Sequence, residues 1–468
     1  MRDEIRFIHG QVETGLRGVS PTTTVLEWLR LHTKSIGTKE GCAEGDCGAC
    51  TVVLGEPDGE TMRYRPVNAC ILFVAALDGR QLLTVEHLRS HPAQRAMVEH
   101  HASQCGFCTP GFVMSLWAMG QAAVAPDRAE VVEALAGNLC RCTGYRPIVD
   151  AALDTVGDRH RIEPDQAAMA ERLRALPTGP LRLSHGGCVM DVPATVADAV
   201  AARARAPEAT LLAGGTDIGL WVTKDRRDLP HVIALERVAE LAAVQRTDRR
   251  ITIGAMVPYE DALAVLGKEW PQLGRMLRRL GSRQIRHRGT IGGNLGTASP
   301  IGDMAPSLIA LDASVVLVGP TGERAVPVAE FFSGYRRTVL RADEIIARVE
   351  LPRAAPNETL HVSKVTKRRE EDISSVCAAF RLRLDGDRVA DFRAGFGGVA
   401  ATPLRLRALE VAMAGQAWTP ATVQAGCAVI EAALTPLDDV RASAAYRLRV
   451  AKNLLLRFWH ETRVPAAA

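Results

Sequence analysis

No run of about 18 apolar residues occurs in this sequence, so no helix is expected to span a bilayer. The start, MRDEIRFIHG, lacks the apolar core of a secretory signal, and a cytoplasmic protein is expected. Charge of one sign is also missing. The 57 Lys and Arg against 53 Asp and Glu leave a formal +4 over 468 residues, with no concentrated basic field and hence no expected nucleic-acid partner. Internal repeats and low-complexity tracts are absent. The length exceeds what one core can fill and suggests about three domains or more.

Cysteine is present and clustered: 8 of the 11 lie between residues 42 and 142. In a reducing compartment such groups read as metal ligands rather than disulfides. Cys188, Cys377 and Cys427 are scattered and read as small buried apolar residues.

Residues 3 to 9 and 50 to 54 read as strands, with helical spacing at residues 24 to 30, giving a small α+β unit that ends near residue 77. Residues 80 to 152 read as helices, with Pro110 just inside one start and Asp127 and Glu130 forming a capping box at another. Residues 155 to 180 are charged, Ala-rich and punctuated by Pro164, Pro177 and Pro180, as expected of a linker. Beyond 180, short apolar runs alternate with helical stretches, and the tail from about 355 repeats that α+β mixture.

The first cysteine group is Cys42, Cys47, Cys50 and then Cys70, the plant-type ferredoxin spacing for a [2Fe-2S] cluster. Gly41, Gly45 and Gly48 let the loop wrap closely and point N–H groups at sulfur. Tetrahedral zinc is the alternative, although zinc ribbons usually pair two short spacings. The second group, Cys105, Cys108, Cys140 and Cys142, is less specific and also suits zinc. Thr109 is expected to cap a helix opening at Pro110, and Gly137 and Asn138 to close the helix begun at Asp127. An antiparallel hairpin of these helices would bring the four thiolates together.

The strings from Gly41 to Cys50, Gln104 to Gly111 and Leu139 to Tyr145 resemble the iron–sulfur domains of molybdenum hydroxylases, and the resemblance extends over essentially the whole chain. It implies an α+β multidomain fold. A ferredoxin-like β-grasp [2Fe-2S] domain would occupy 1–77, a four-helix-type [2Fe-2S] domain 78–154 and a linker 155–180. An α+β FAD-binding domain (181–354) and an α+β C-terminal subdomain (355–468) would follow. The same resemblance places the cluster of the helical domain nearer a molybdopterin, with Gln104 matching a pterin-contacting position, and the ferredoxin-type cluster nearer the flavin.

Residues Leu211, Leu212, Ala213, Gly214, Gly215, Thr216, Asp217 and Ile218 form an apolar strand running into a Gly-Gly turn that can offer N–H groups to a pyrophosphate. Residues 289 to 300 are rich in glycine and hydroxyls and suit the same task. Both segments resemble the family's FAD motifs. By that resemblance Thr290, Ile291, Gly292, Gly293 and Asn294 would join the turn in holding FAD, with Thr297 and Asp303 close by. Leu280, Ile346 and Lys364 match positions lining the flavin, though many relatives carry an aromatic ring at the position of Leu280. Gly395 to Ala400 mimics a dinucleotide signature but lacks the acidic residue at the right distance, and reads as a close-packed strand.

Tyr335 resembles the aromatic that lies near nicotinamide in the NAD-using members. Glu371, in the run from Arg368 to Asp372, stands in a charged loop beside the flavin where an Asp is more familiar. The resemblance implies an electron-transfer subunit like the small subunit of NAD-dependent xanthine dehydrogenase. Two [2Fe-2S] clusters, FAD and NAD would serve it, together with a large partner carrying the molybdopterin cofactor, in an (αβ)2 heterotetramer. Aldehyde, nicotinate or aromatic-acid hydroxylases are the nearest alternatives. A structural zinc and nucleotide-binding protein is the alternative from another class.

Overall fold

The structure, a computed structural model, describes residues 1–121, 126–155 and 165–463. Pro164, the first part of the expected linker and the last residues of the expected C-terminal subdomain lie outside these. The chain divides into two compact units, one of residues 1–238 with 281–289 and one of residues 239–280 with 290 onward.

In the first unit, strands β1 (Ile5–His9), β2 (Val12–Leu16), β3 (Thr51–Asp58), β4 (Thr61–Asn68) and β5 (Gln81–Leu83) form one sheet in the order β2-β1-β5-β3-β4. β5 runs parallel to β1 and antiparallel to β3, so the sheet draws a strand from beyond residue 77. The run Val52-Val53-Leu54 is apolar throughout because β3 is buried on both faces. Val52 and Leu54 pack with Ile5, Phe7 and Leu29, whereas Val53 packs with Phe112 and Leu116 of the helical part.

Four helices follow among the described residues: Pro92–Glu99, Thr109–Gly120, Arg128–Leu135 and Arg146–Thr155. The box at Asp127 forms as expected, its carboxylate accepting from Glu130 N at 2.9 Å while Glu130 accepts from Asp127 N at 3.2 Å. Thr109 does not cap its helix. Cys108 takes that position, and the Thr109 hydroxyl instead meets Ser103 Oγ at 2.7 Å. The hairpin of the two middle helices is present, since Ser115 in the first bonds Asn138 just past the end of the second at 2.7 Å.

The segment read as a linker carries helix Gln166–Arg174, capped by Asp165. Its short stripe of Met169, Ala170 and Leu173 is buried against Ile8 and Met62. The unit is completed by β6 (Leu181–His185), β7 (Cys188–Val192), β8 (Thr210–Leu212) and β9 (His231–Ala234), in the order β6-β7-β9-β8. Cys188 is not the fully buried apolar residue expected; it is half-buried and donates from Sγ to Leu229 O at 2.9 Å.

In the second unit, β10 (Val244–Arg246), β11 (Arg250–Gly254), β12 (Ser314–Gly319), β13 (Gly322–Pro327) and, after the small hairpin of β14 (Phe332–Gly334) and β15 (Arg337–Thr338), β16 (Ile345–Pro352) supply the strands. Apart from the hairpin they form an antiparallel sheet in the order β10-β11-β16-β12-β13. A second sheet joins β17 (Glu358–Val365), β18 (Val376–Asp385), β19 (Arg388–Gly397) and β20 (Leu404–Arg405). Phe380, Phe392, Phe396 and Trp418 pack with Phe458 of helix Ala444–Thr462 to close its core. The Gly395 segment is a strand, and a Cβ on Gly395 would fall 2.1 Å from Pro306 O. Close helix–sheet packing, rather than a nucleotide, accounts for that glycine.

Candidate redox site

The first cysteine loop coils tightly, with positive φ at Ala43, Gly45 and Gly48. Cys42 Sγ accepts from the N–H groups of Glu44 at 3.5 Å and Cys47 at 3.3 Å, and Asn68 Nδ2 approaches Cys50 Sγ at 3.9 Å. These donors are the kind that stabilise thiolate charge. The four thiols adjoin. Cys47 and Cys70 both donate to Cys42, holding its thiol far below the usual range, while Cys42 raises Cys47 in return. Cys50 is lowered by its contact with Cys70.

In the second group Cys105 pairs with Cys142, and Cys108 with Cys140. Burial, with Cys140 as neighbour, pushes the Cys108 thiol up to about 12. Cys140 is anchored by Thr143 Oγ1, 3.1 Å from its sulfur, and by its own N–H donating to Tyr145 Oη at 3.0 Å. Gln104 is exposed beside Cys105. Among the described residues no three His, Cys, Asp or Glu side chains converge as the ligands of one metal ion would. The sulfurs of the first group instead form a run of contacts from Cys47 through Cys42 and Cys70 to Cys50, and those of the second form two pairs, while a two-iron cluster asks for two protein ligands on each iron. The donor sets therefore fit [2Fe-2S].

The Gly-Gly turn lies in the same unit. Leu211 and Leu212 end β8, and Ile218 opens helix Ile218–Thr223 with Asp217 before it. A Cβ on Gly214 would fall 1.7 Å from Arg288 O, so no side chain is possible there. Gly215 has more room but sits at φ +79°, where side chains are strained. Asp217 Oδ2 is buried without a partner, an acceptor suited to a ribose or flavin donor. The turn touches the first cysteine loop directly. Thr223 Oγ1 donates to Ala43 O at 2.7 Å, Lys224 Nζ donates to Cys42 O at 3.1 Å, and Gly219 packs on Ile71, the neighbour of Cys70.

Beside the turn lies an ion network that was not read from the sequence. Glu236 accepts from Arg80 at 3.2 Å and from Arg288 at 2.9 Å, and Glu56 accepts from Arg65 at 2.6 Å and from Arg80 at 3.4 Å. The signal available was a lone acidic residue following the apolar run Val232 to Leu235.

In the second unit Thr290 caps helix Ile291–Thr297, its hydroxyl accepting from Gly293 N at 2.9 Å. Gly292 is pressed against Ala255, Thr297 Oγ1 donates to Gly293 O at 3.0 Å, and Asn294 Oδ1 is buried without a partner. Asp303 and Lys364 are brought together at 2.6 Å, with Ser374 Oγ donating to the other Asp303 oxygen at 2.5 Å. Ile346 is part of the core and Leu280 packs against it. Tyr335 is exposed in the turn between β14 and β15. Glu371 stands at φ +47° in an exposed loop, its carbonyl accepting from Arg368 at 3.0 Å. The close glycine backbones and the orphaned acceptors suit FAD, each in its own unit.

Four family models match in succession. They are a 2Fe-2S iron-sulfur cluster binding domain at residues 8–75, a [2Fe-2S] binding domain at 84–153, the FAD binding domain in molybdopterin dehydrogenase at 188–354 and the CO dehydrogenase flavoprotein C-terminal domain at 361–462. Xanthine dehydrogenase of Emericella nidulans is 31% identical over 98% of this chain and 38% of its own length. Xanthine dehydrogenase/oxidase of Gallus gallus is 29% identical over 92% of the chain and 38% of its own. The chain thus spans well under half the length of these relatives. A carbon monoxide dehydrogenase chain from Hydrogenophaga pseudoflava superposes with a TM-score of 0.55 at 30% identity, covering 57% of this chain and 94% of that one. Together these matches show that the chain belongs to the molybdenum hydroxylase family, as an iron–sulfur and FAD-binding part of it.

Proposed function

We propose that this chain carries electrons from a partner's molybdenum centre through two [2Fe-2S] clusters to FAD, and on to NAD+. The observation that carries the proposal is the direct packing of helix Ile218–Thr223 and Lys224 on the loop of Cys42 and Ala43. Cys105, Cys108, Cys140 and Cys142 would hold the partner-side cluster, beside Gln104. Cys42, Cys47, Cys50 and Cys70 would hold the flavin-side one. The backbone of residues 211–218 and of Thr290–Asn294 would bind FAD, with Thr297, Asp303, Leu280, Ile346 and Lys364 completing its surroundings. Bound FAD supplies conversion between the hydride of a nicotinamide and the single electrons of the clusters. Tyr335 would stack near the nicotinamide, and Glu371 would present charge at the flavin edge.

The names of the xanthine dehydrogenase relatives favour xanthine as the substrate of the reaction served; we propose that hypoxanthine and xanthine are oxidised to urate, in the cytoplasm, with a large subunit in an (αβ)2 heterotetramer. The carbon monoxide dehydrogenase likeness keeps other hydroxylase substrates as the second reading. The chain alone should oxidise NADH with an artificial acceptor dye and should not oxidise xanthine, and adding the large subunit should restore xanthine-dependent NAD+ reduction. An FAD-loaded chain that never reacts with NADH would remove NAD+ as acceptor. A lone chain that oxidises xanthine would refute the division of labour.

A further inference from the structure

Three main-chain segments meet closely where the two cysteine groups adjoin, with the Asn138 amide beside them. A Cβ on Gly48 would fall 2.1 Å from Gly137 O, and one on Gly111 would fall 2.3 Å from Gly48 O. This close approach lets the Leu139 N–H donate to the Cys47 carbonyl oxygen at 2.9 Å. Cys47 belongs to the first group, and Leu139 is bonded covalently to Cys140 of the second. One hydrogen bond therefore closes a continuous bonded path between a cysteine of each group.

Asn138 stands beside this bond and is 2% exposed. Its Nδ2 donates to Gly48 O at 3.1 Å and to Thr51 Oγ1 at 3.3 Å. Its Oδ1 accepts from Ser115 Oγ at 2.7 Å and from Gln284 Nε2 at 3.1 Å. All four hydrogen-bonding positions of the amide are filled, and its orientation is fixed because the Gly48 carbonyl can only accept. A buried network in which this amide is fully paired is rigid. It ties the first cysteine loop, at Gly48 and Thr51, to the hairpin that carries the second.

We infer that the hydrogen bond from Leu139 N–H to Cys47 O is the route by which an electron crosses between the two clusters, and that Asn138 is the positioning residue that holds it. The inference rests on the electron-transfer function proposed above. With the clusters bound, one electron would leave the one held by Cys105, Cys108, Cys140 and Cys142 and arrive at the one held by Cys42, Cys47, Cys50 and Cys70. One iron is oxidised and one reduced; no heavy-atom bond breaks and no proton has to move. Bonded contact couples the two sides better than an equal gap through space, so loosening it slows the transfer.

The test is Asn138→Asp in the full chain, which keeps an oxygen for Ser115 and Gln284 and removes the donor to Gly48. Iron and labile sulfide should be retained and both EPR signals should remain. The magnetic splitting that each reduced cluster imposes on the other should be diminished, and rapid-freeze reduction should show slower equilibration between them. Hydrogen–deuterium exchange of the peptide containing Leu139 should accelerate on the order of tenfold, the factor for about one net hydrogen bond. Ser115→Ala, which touches neither cysteine loop, should move the same readouts in the same direction, and it decides alone if Asn138→Asp does not accumulate. Unchanged splitting and exchange with both clusters present would overturn the inference. Absence of clusters from the unaltered chain would instead overturn the proposed function.

Discussion

Cys47→Ser is expected to abolish the EPR signal of one cluster and spare the other, and Cys108→Ser to do the reverse. Each replacement removes one thiolate from a different set of four, and serine is a poor substitute for a soft ligand. Selectivity follows from the structure: Cys47 contacts Cys42 and Cys108 contacts Cys140, each within its own group. The two groups belong to different local folds, a strand-bounded loop and a helix hairpin. About half of the iron should be lost in either variant. Loss of both signals from a single replacement would show that the groups do not assemble independently.

Glu236→Ala is expected to cost about 3–5 kcal/mol of stability, the usual effect of leaving buried charges without their counterion. The Glu236 side chain is 5% exposed and holds Arg80 and Arg288, each 14% exposed. Arg288 also supplies the carbonyl against which Gly214 packs, so FAD content should fall as well.

Burial opposes the charge of Glu236, but Arg288 and Arg80 outweigh it and hold the carboxyl below its ordinary value. Glu56 behaves likewise: against burial, Arg80 and Arg65 bring it down to about 2. Because both folded values lie below the unfolded ones, this stabilisation is present above the unfolded range of about 4.5 and is lost as pH falls through the folded values, about 2 for Glu56. Thermal unfolding followed across that window should show a shallower acid decline in Glu236→Ala than in the unaltered chain. Equal slopes, with equal stability at neutral pH, would mean that the network does not stabilise the fold.

The parts of the site that could be read from the sequence are those written in local spacing. The positions of Cys42, Cys47 and Cys50 describe a wrapping loop because a few residues between ligands leave the chain few ways to close. The hairpin carrying the second group was equally readable from Asp127 and Glu130, since caps act within one turn of the residues they satisfy, although Ala136 rather than Gly137 or Asn138 takes the C-cap. Thr109 misled because the helix opens one residue earlier than Pro110, at Thr109 itself, which puts Cys108, a residue no capping preference would choose, at the cap. Helix Gln166–Arg174 was missed because three buried residues make too short a stripe to stand out among charges. The knot of Thr51, Ser115, Asn138 and Gln284 and the network of Arg80, Glu236 and Arg288 join residues far apart in the chain. No local pattern announces such pairings, and only the fold brings them together.

The measurement that tests the central claim most directly is a reductive titration of the purified chain, followed by optical bleaching and EPR. Two [2Fe-2S] clusters taking one electron each and an FAD taking two predict uptake of about four electrons per chain, with two distinct cluster signals. Uptake of only the flavin's share, or a colourless protein holding zinc, would contradict it.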